Sequence, residues 1–341
     1  MDRQAPYRPL LDLRQTEKAI RIIKEFFQTH LGEALNLLRV SAPLFVLADT
    51  GINDNLNGVE LPISFAIKGL GGQRAEIVQS LAKWKRMALA DYGFAPGEGL
   101  YTDMNAIRPD ELLDDIHSIY VDQWDWERVM TPQERNLDYL RWIVRKIYGV
   151  IRQTEEHVAQ AYPQIKPYLP ADIHFVHSEA LQSRWPDLSP KDREDRISRE
   201  HGAVFIIGIG HPLADGKRHD GRAPDYDDWS TPTPSGRGLN GDIFVWNQSI
   251  GRAFELSSMG IRVDAQSLAR QLEMTQTQDR AQLLFHRRLL AGQLPQTIGG
   301  GLGQSRLCML YLRKIHVGEV QCGLWPDDMR AKLKGQGVVL L

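Results

Sequence analysis

Apolar residues recur at helical spacing over residues 14–34, where Ile20, Ile23, Phe26, Phe27 and Leu31 stand among charges. That period predicts an amphipathic helix. The apolar run from Leu35 to Val46 reads as a strand, with Pro43 late in it. Proline has no ladder donor, so Pro43 marks an edge or a bulge. Further strands are predicted at 76–80, 100–107, 117–130, 203–210, 241–247 and 253–262. Helices are predicted at 81–92, 132–162, 189–201, 264–274, 278–291 and 303–314. Several strands follow one another with only loops between them, which favours an antiparallel sheet over a doubly wound one. The expectation is an α+β fold, a central mostly antiparallel sheet flanked by helices, in a single domain over 1–341. No repeat, low-complexity tract or interdomain linker interrupts it.

Within strand 117–130, Gln123, Asp125 and Glu127 alternate with Tyr120, Trp124 and Trp126. Taken alone, this is a half-buried strand with a solvated polar face. Two tryptophans on the other face imply heavy packing, and a polar face on such a strand can instead line a cleft. Near the C-terminus, Gly299-Gly300-Gly301-Leu302-Gly303-Gln304-Ser305-Arg306 precedes an apolar helical run. Glycines let a backbone pass close to a flat ligand, and an arginine fixed there can stack on a base or pair with a phosphate. The plainer reading is a glycine-rich turn before a core helix.

Acids in unusual places add candidate chemistry. Arg222-Ala223-Pro224-Asp225-Tyr226-Asp227-Asp228-Trp229-Ser230 crowds three carboxylates into four residues. Such carboxylates repel, so they need a cation, a substrate ammonium or open solvent, and a solvated loop is the default. Asp242 and Glu255 each sit inside an otherwise apolar strand of a predicted hairpin. Either a shared Mg²⁺ or a salt bridge to arginine would account for them. Glu255 and Ser258 lie three apart, on opposite faces of a regular strand, and a bulge near Met259-Gly260 would bring them together. His211, Asp215, His219 and Asp220 resemble metal ligands in type, but their spacing fits no zinc signature.

Composition mostly excludes. Lys+Arg 41 against Asp+Glu 43 leaves no basic excess for a nucleic-acid surface. No window approaches a membrane span, and Met1–Pro6 lacks an apolar signal core, so the cytoplasm is expected. Cys308 and Cys322 both read as reduced core residues.

Taken together, Val78-Gln79-Ser80-Leu81-Ala82-Lys83-Trp84-Lys85-Arg86, Gly97-Glu98-Gly99-Leu100-Tyr101-Thr102, Ala106-Ile107-Arg108-Pro109-Asp110, Tyr120 to Glu127, Arg222 to Trp229 and Pro295 to Gly301 resemble the ammonia-dependent asparagine synthetases of the A type. The resemblance covers about residues 12–330. It implies the catalytic-domain fold of class II aminoacyl-tRNA synthetases without tRNA-binding parts. It also implies a reaction joining aspartate and ammonia at the expense of ATP, through β-aspartyl-AMP, with release of AMP and diphosphate.

The same resemblance implies roles. The helix 14–34 and the strand ending at Pro43 match the first class II motif, which builds a dimer interface, so a homodimer is expected. Arg108 would meet the α-phosphate, and Arg306 adenine or the distal phosphates. Ser118 and Gly301 complete the nucleotide set, with Mg²⁺ on Asp242 and Glu255. Ser305 stands where the synthetases usually carry an acid. Lys85, Gln123, Asp125, Asp227, Ser258 and Arg262 would line the aspartate pocket. Arg262 and Ser258 would hold its α-carboxylate, and Asp125 and Asp227 its ammonium. Asp54 would capture ammonium and accept its proton, although among asparagines it also reads as a turn cap. Gln123 joins Asp54, Arg108 and Arg306 as a catalytic candidate. The alternatives are a tRNA synthetase, a non-catalytic paralogue that senses amino acids, and a metal hydrolase built on the 211–220 histidines.

Overall fold

The computed structural model describes residues 7–54 and 61–341. Met1–Pro6, and Asn55-Leu56 beside Asp54, lie outside them. In chain order the strands are β1 (Leu37–Arg39), β2 (Phe45–Leu47), β3 (Ser64–Ile67), β4 (Gln73–Ile77), β5 (Gly99–Ile107), β6 (Tyr120–Val129) and β7 (His174–His177). Then come β8 (Ala203–Ile207), the short pair β9 (Pro232–Thr233) and β10 (Gly236–Arg237), β11 (Asn240–Asn247), β12 (Arg252–Ile261) and β13 (Thr297–Gly303). The helices are α1 (Leu13–Leu35), α2 (Ala82–Asp91), α3 (Leu137–Ala161), α4 (Ser178–Arg184) and α5 (Pro190–His201). They continue with α6 (Ala265–Met274), α7 (Leu284–Leu290), α8 (Gln304–Tyr311) and α9 (Asp327–Gly335).

Eight strands form one sheet in the order β1-β5-β6-β13-β12-β11-β8-β7. Only the outermost pairs, β1 with β5 and β7 with β8, run parallel. A three-stranded antiparallel sheet, β2-β4-β3, stands apart. Helix α1 begins with a capping box at Asp12 and ends at Asn36 in the left-handed conformation. Its buried stripe, Ile23, Phe27 and Leu31, packs beside α3, whose Ile143, Ile147 and Ile151 are fully buried. Phe27 stacks on Trp124 at 4.7 Å, and Trp124 and Trp126 are both 0% exposed. The helical layer thus closes one face of the central strands. The opposite face, carrying Gln123 and Asp125, is left to line a cavity.

Several expected boundaries shift for local reasons. The strand expected over 35–46 breaks in two. β1 joins the main sheet and β2 the small one, with donor-less Pro43 between them. Helices expected at 132–162 and 278–291 each begin with a 3₁₀ turn, Pro132–Glu134 and Gln278–Gln282. The glycine run is not a turn: β13 is a central strand, paired with β6 on one side and β12 on the other. Its glycines are steric, because a Cβ on Gly299 would run into the Glu127 carboxylate and one on Gly300 into Met259. Cys308 is buried as expected, but Cys322 is exposed. No helix among the described residues is long and apolar enough to cross a membrane.

Candidate active site

A cavity of about 540 Å³ opens over the polar face of β6, β12 and β13. It brings together Asp54, Lys85, Arg108, Ser118, Gln123 and Asp125 with Asp227, Glu255, Ser258, Arg262, Gly301 and Arg306. These positions are scattered over some 250 residues of chain. Asp242, the remaining candidate, is buried behind this lining, beneath Arg222 and Ser258.

One end of the cavity is a buried, mutually paired charge network. Arg262 donates from Nε and Nη2 to Glu127 at 3.0 and 2.8 Å and pairs through Nη1 with Asp227. Lys85 Nζ pairs with Asp125 at 2.9 Å and donates to the Trp126 and Gly300 carbonyls, both at 3.0 Å. Thr297 Oγ1 donates to Glu127 at 2.7 Å. Glu127 is 0% exposed, and burial works to raise its carboxyl, but Arg262 and then Lys85 outweigh this and hold it low. Burial lowers Lys85, opposed by Asp125 and Glu127. Glycine at 301 leaves room for Gln123 and Asp125, whose side-chain oxygens a Cβ there would meet.

The loop over this end was expected to be solvated and is not. Asp225, Asp227 and Asp228 are each no more than 1% exposed. Asp225 meets Lys83 at 3.3 Å, Arg280 at 3.2 Å and His286 at 3.0 Å, while Asp228 pairs with Arg135. Against the penalty of burial, these partners hold Asp225 well below the ordinary carboxylate range. Each acid has found its cation on a distant element, which local sequence cannot show.

The other end is open and incompletely paired. Arg108 directly follows β5, and its buried Nε has no hydrogen-bond partner among the described residues. Arg306, on the first turn of α8, donates from Nη1 to the Glu255 carbonyl at 3.1 Å and lies 3.5 Å from that carboxylate. Ser305 stands where an acid was expected, and its hydroxyl donates to Asp122 at 2.6 Å. The acid therefore comes from β6, while Arg306 takes Glu255 as its partner.

Glu255 and Ser258 do share a face, but the bulge lies at Leu256 rather than at Met259-Gly260. Ile243 pairs with Ser257 and Phe244 with Glu255, leaving Leu256 as the extra residue on β12. Ser258 Oγ then donates to Glu255 at 3.0 Å and accepts from Arg222 Nη2 at 2.9 Å. Arg222 pairs with Asp242 and lies 3.7 Å from Asp227. Burial pushes Asp242 up to about 7, with Arg222 opposing and Glu255 adding to the rise. An arginine bridge is thus present at each acid, Arg222 at Asp242 and Arg306 at Glu255, and the Arg222 guanidinium stands between Asp242 and Asp227.

Arg222, Gln79, Tyr226 and Asp122 also line the cavity, beyond the residues that the resemblance implies. Glu127 lies beneath the lining, on the face that strand alternation predicts. All five, Arg222, Gln79, Tyr226, Asp122 and Glu127, belong to the quoted motifs, so a signal existed for each without a role attached. The Tyr226 phenol is pushed well above its ordinary range by burial and by the carboxylates of Asp54 and Asp227, so it stays protonated. The 211–220 histidines are outside the cavity: His211 Nδ1 faces the Pro212 carbonyl and His219 pairs with Glu194. Among the described residues, no group of three His, Cys, Asp or Glu side chains could hold a metal.

Solved structures share this architecture. Asparaginyl-tRNA synthetase from Pyrococcus horikoshii, solved with asparaginyl-adenylate, superposes with a TM-score of 0.66 at 16% identity, covering 91% of this chain and 70% of that one. Aspartyl-tRNA synthetase from Entamoeba histolytica gives 0.61 at 14% identity, over 92% and 59%. The fold is therefore the class II aminoacyl-tRNA synthetase fold. Residues 14–337 match the family described as aspartate-ammonia ligase. An aspartate–ammonia ligase of Parabacteroides distasonis is 57% identical over 99% of this chain and 98% of its own length. That of Bacteroides thetaiotaomicron is 57% identical over 98% and 97%, and that of Ruminiclostridium cellulolyticum 53% over 98% and 97%. The chain belongs to the aspartate–ammonia ligase family.

Proposed function

We propose that the cavity binds aspartate at its paired end and ATP at its open end. The protein makes asparagine from aspartate and ammonia. A carboxylate is a poor electrophile, so the aspartate side chain attacks the α-phosphorus of ATP, giving β-aspartyl-AMP and diphosphate. Ammonia then attacks the acyl carbon and AMP leaves. The observation that carries this reading is the adjacency of a saturated charge network at one end and an unpartnered, buried Arg108 Nε at the other. The first suits a zwitterion of fixed shape, and the second suits charge that develops on a phosphorus oxygen.

In this reading Arg262 and Ser258 take the α-carboxylate of aspartate, and Asp125 and Asp227 its ammonium, with Lys85 and Gln123 completing the pocket. Arg108 faces the α-phosphate, Arg306 lies against adenine or the distal phosphates, and Ser118 and Gly301 shape the nucleotide site. Asp54, 1% exposed on the cavity wall, captures ammonium and accepts its proton. Asp242 and Glu255 fit Mg²⁺ by donor type: two hard carboxylates, bridged through Ser258 and Arg222, of which Asp242 already faces the Arg222 guanidinium and Glu255 that of Arg306. When bound, Mg²⁺ would offset phosphate charge, while water and phosphate supply its remaining ligands. We also infer one catalytic domain working in the cytoplasm as a homodimer. Exposed Leu44, Phe45, Leu47 and Phe65 on the small sheet support an interface beside the first motif.

The test is to incubate the purified protein with aspartate, ATP, Mg²⁺ and ammonium, quantifying asparagine, AMP and ADP together. Asparagine and AMP in equal amounts are expected, and formation of ADP would overturn the mechanism.

A further inference from the structure

Gln79 is 0% exposed, lines the cavity, and has no hydrogen-bond partner for either Oε1 or Nε2 among the described residues. A buried polar group left without its hydrogen bond loses its hydration and gains nothing back, so an amide orphaned at both ends, on the wall of a binding cavity, asks for a ligand. Its position is held rather than accidental. The Asn53 carboxamide oxygen accepts from the backbone N–H groups of both Gln79, at 2.9 Å, and Asp54, at 3.0 Å. Asn53 Nδ2 in turn donates to the Ile77 carbonyl at 3.2 Å and to Glu76 at 3.1 Å. One carboxamide therefore fastens Gln79 and Asp54 side by side. The loop before them is wedged from behind, because Gly51, at φ +72°, leaves no room for a Cβ beside Leu283 and His286.

We infer that Gln79 forms the ammonium site together with Asp54, a step that rests on the reading of Asp54 given above. Gln79 Oε1 accepts an N–H from ammonium while the Asp54 carboxylate faces the cation. A neutral amide suits this place. It orients the nitrogen without strengthening the hold on its proton, as a second carboxylate would. Ammonium gives one proton to Asp54, which frees the lone pair. The C–N bond forms at the acyl carbon, and the C–O bond to AMP breaks with its electron pair going to the phosphate. A second proton then leaves the nitrogen through the same carboxylate once it has released the first. Gln79 Nε2 donates to the acyl oxygen of the aspartyl adenylate as charge gathers there, which gives the other end of the amide its partner. Both contacts belong to the second half of the reaction, so they leave adenylation largely alone.

The experiment compares the full-length wild-type protein with Q79L, which keeps the shape and removes both polar ends, and with Q79E. Two readouts are taken: aspartate-dependent exchange of labelled diphosphate into ATP without ammonium, and asparagine formation across an ammonium titration. Q79L should raise the KM for ammonium at least tenfold, while exchange and the KM values for aspartate and ATP move less than about threefold. Q79E should lower the KM for ammonium and slow turnover, because a second carboxylate holds the cation and its proton more tightly. An unchanged ammonium KM in Q79L would overturn the inference. So would equal losses in exchange and in ammonium use, and Q79E remains decisive if Q79L does not fold. D54N separates the two readings. If its ammonium KM and pH profile are normal while Q79L is impaired, the Asp54 role falls and the Gln79 contact stands.

Discussion

The two ends of the cavity are built on opposite principles. Around Arg262, every charge is buried and already answered: Glu127, Asp227, Lys85 and Asp125 meet one another at ion-pair distances. Around Arg108 and Arg306, the arginines are poorly matched, one with an orphaned Nε and the other held loosely by Glu255. The paired end is preorganised, so its energy has gone into folding and shape, and it can reject molecules that do not match its pattern. The unpaired end keeps its interactions in reserve, as the proposed phosphate site requires. Such an arrangement lets binding energy appear where charge develops rather than in the resting protein.

The sharpest way to break this contrast is through stability. R262M strands Glu127 and Asp227 as buried charges and should destabilise the protein by about 3–5 kcal/mol, read as a lower denaturation midpoint. R306M should cost less than about 1 kcal/mol, in line with a long, half-buried pair at the edge of a cavity. Comparable losses would mean the two ends do not differ. Next in size, R108Q should lower kcat by roughly 100- to 1,000-fold with an unchanged midpoint, as expected for a group acting on developing charge. D227N should weaken aspartate binding about tenfold or more and ATP binding little, which isothermal titration with each ligand can separate. Equal losses would remove Asp227 from the amino-acid end.

The smallest effect concerns acid. Arg262 holds Glu127 below its ordinary 4.5, so its stabilising contribution is complete above that value and is lost as pH falls through the lower folded value. Between about pH 5 and about pH 3, the denaturation midpoint of the wild type should therefore decline more steeply than that of E127Q. Parallel declines would show that Glu127 carries none of the acid sensitivity.

What could be read from the sequence follows the range of the forces involved. Helix α1 and strand β6 announce themselves through period, because their burial is set along one element: Phe27 and Trp124 fall on the right faces and meet. The glycine run misleads because glycine's meaning here is tertiary, set by Glu127 across the sheet. The 222–230 acids look solvated because Lys83, Arg135 and Arg262, which answer them, come from other elements. The bulge at Leu256 carries no local mark, since the neighbouring glycine is the better candidate until register is known. Most candidate residues converge on one cavity because whole motifs pointed to them. Asp242 lies behind it because side-chain layering is not written in a motif.

The central claim is that the aspartate side chain is activated on the α-phosphorus. It is tested most directly by running the reaction with aspartate carrying ¹⁸O in its side-chain carboxylate and measuring the isotope in AMP. The account predicts one labelled oxygen in the AMP phosphoryl group for each asparagine formed. Label recovered in inorganic phosphate or diphosphate, or absent from AMP, would contradict it.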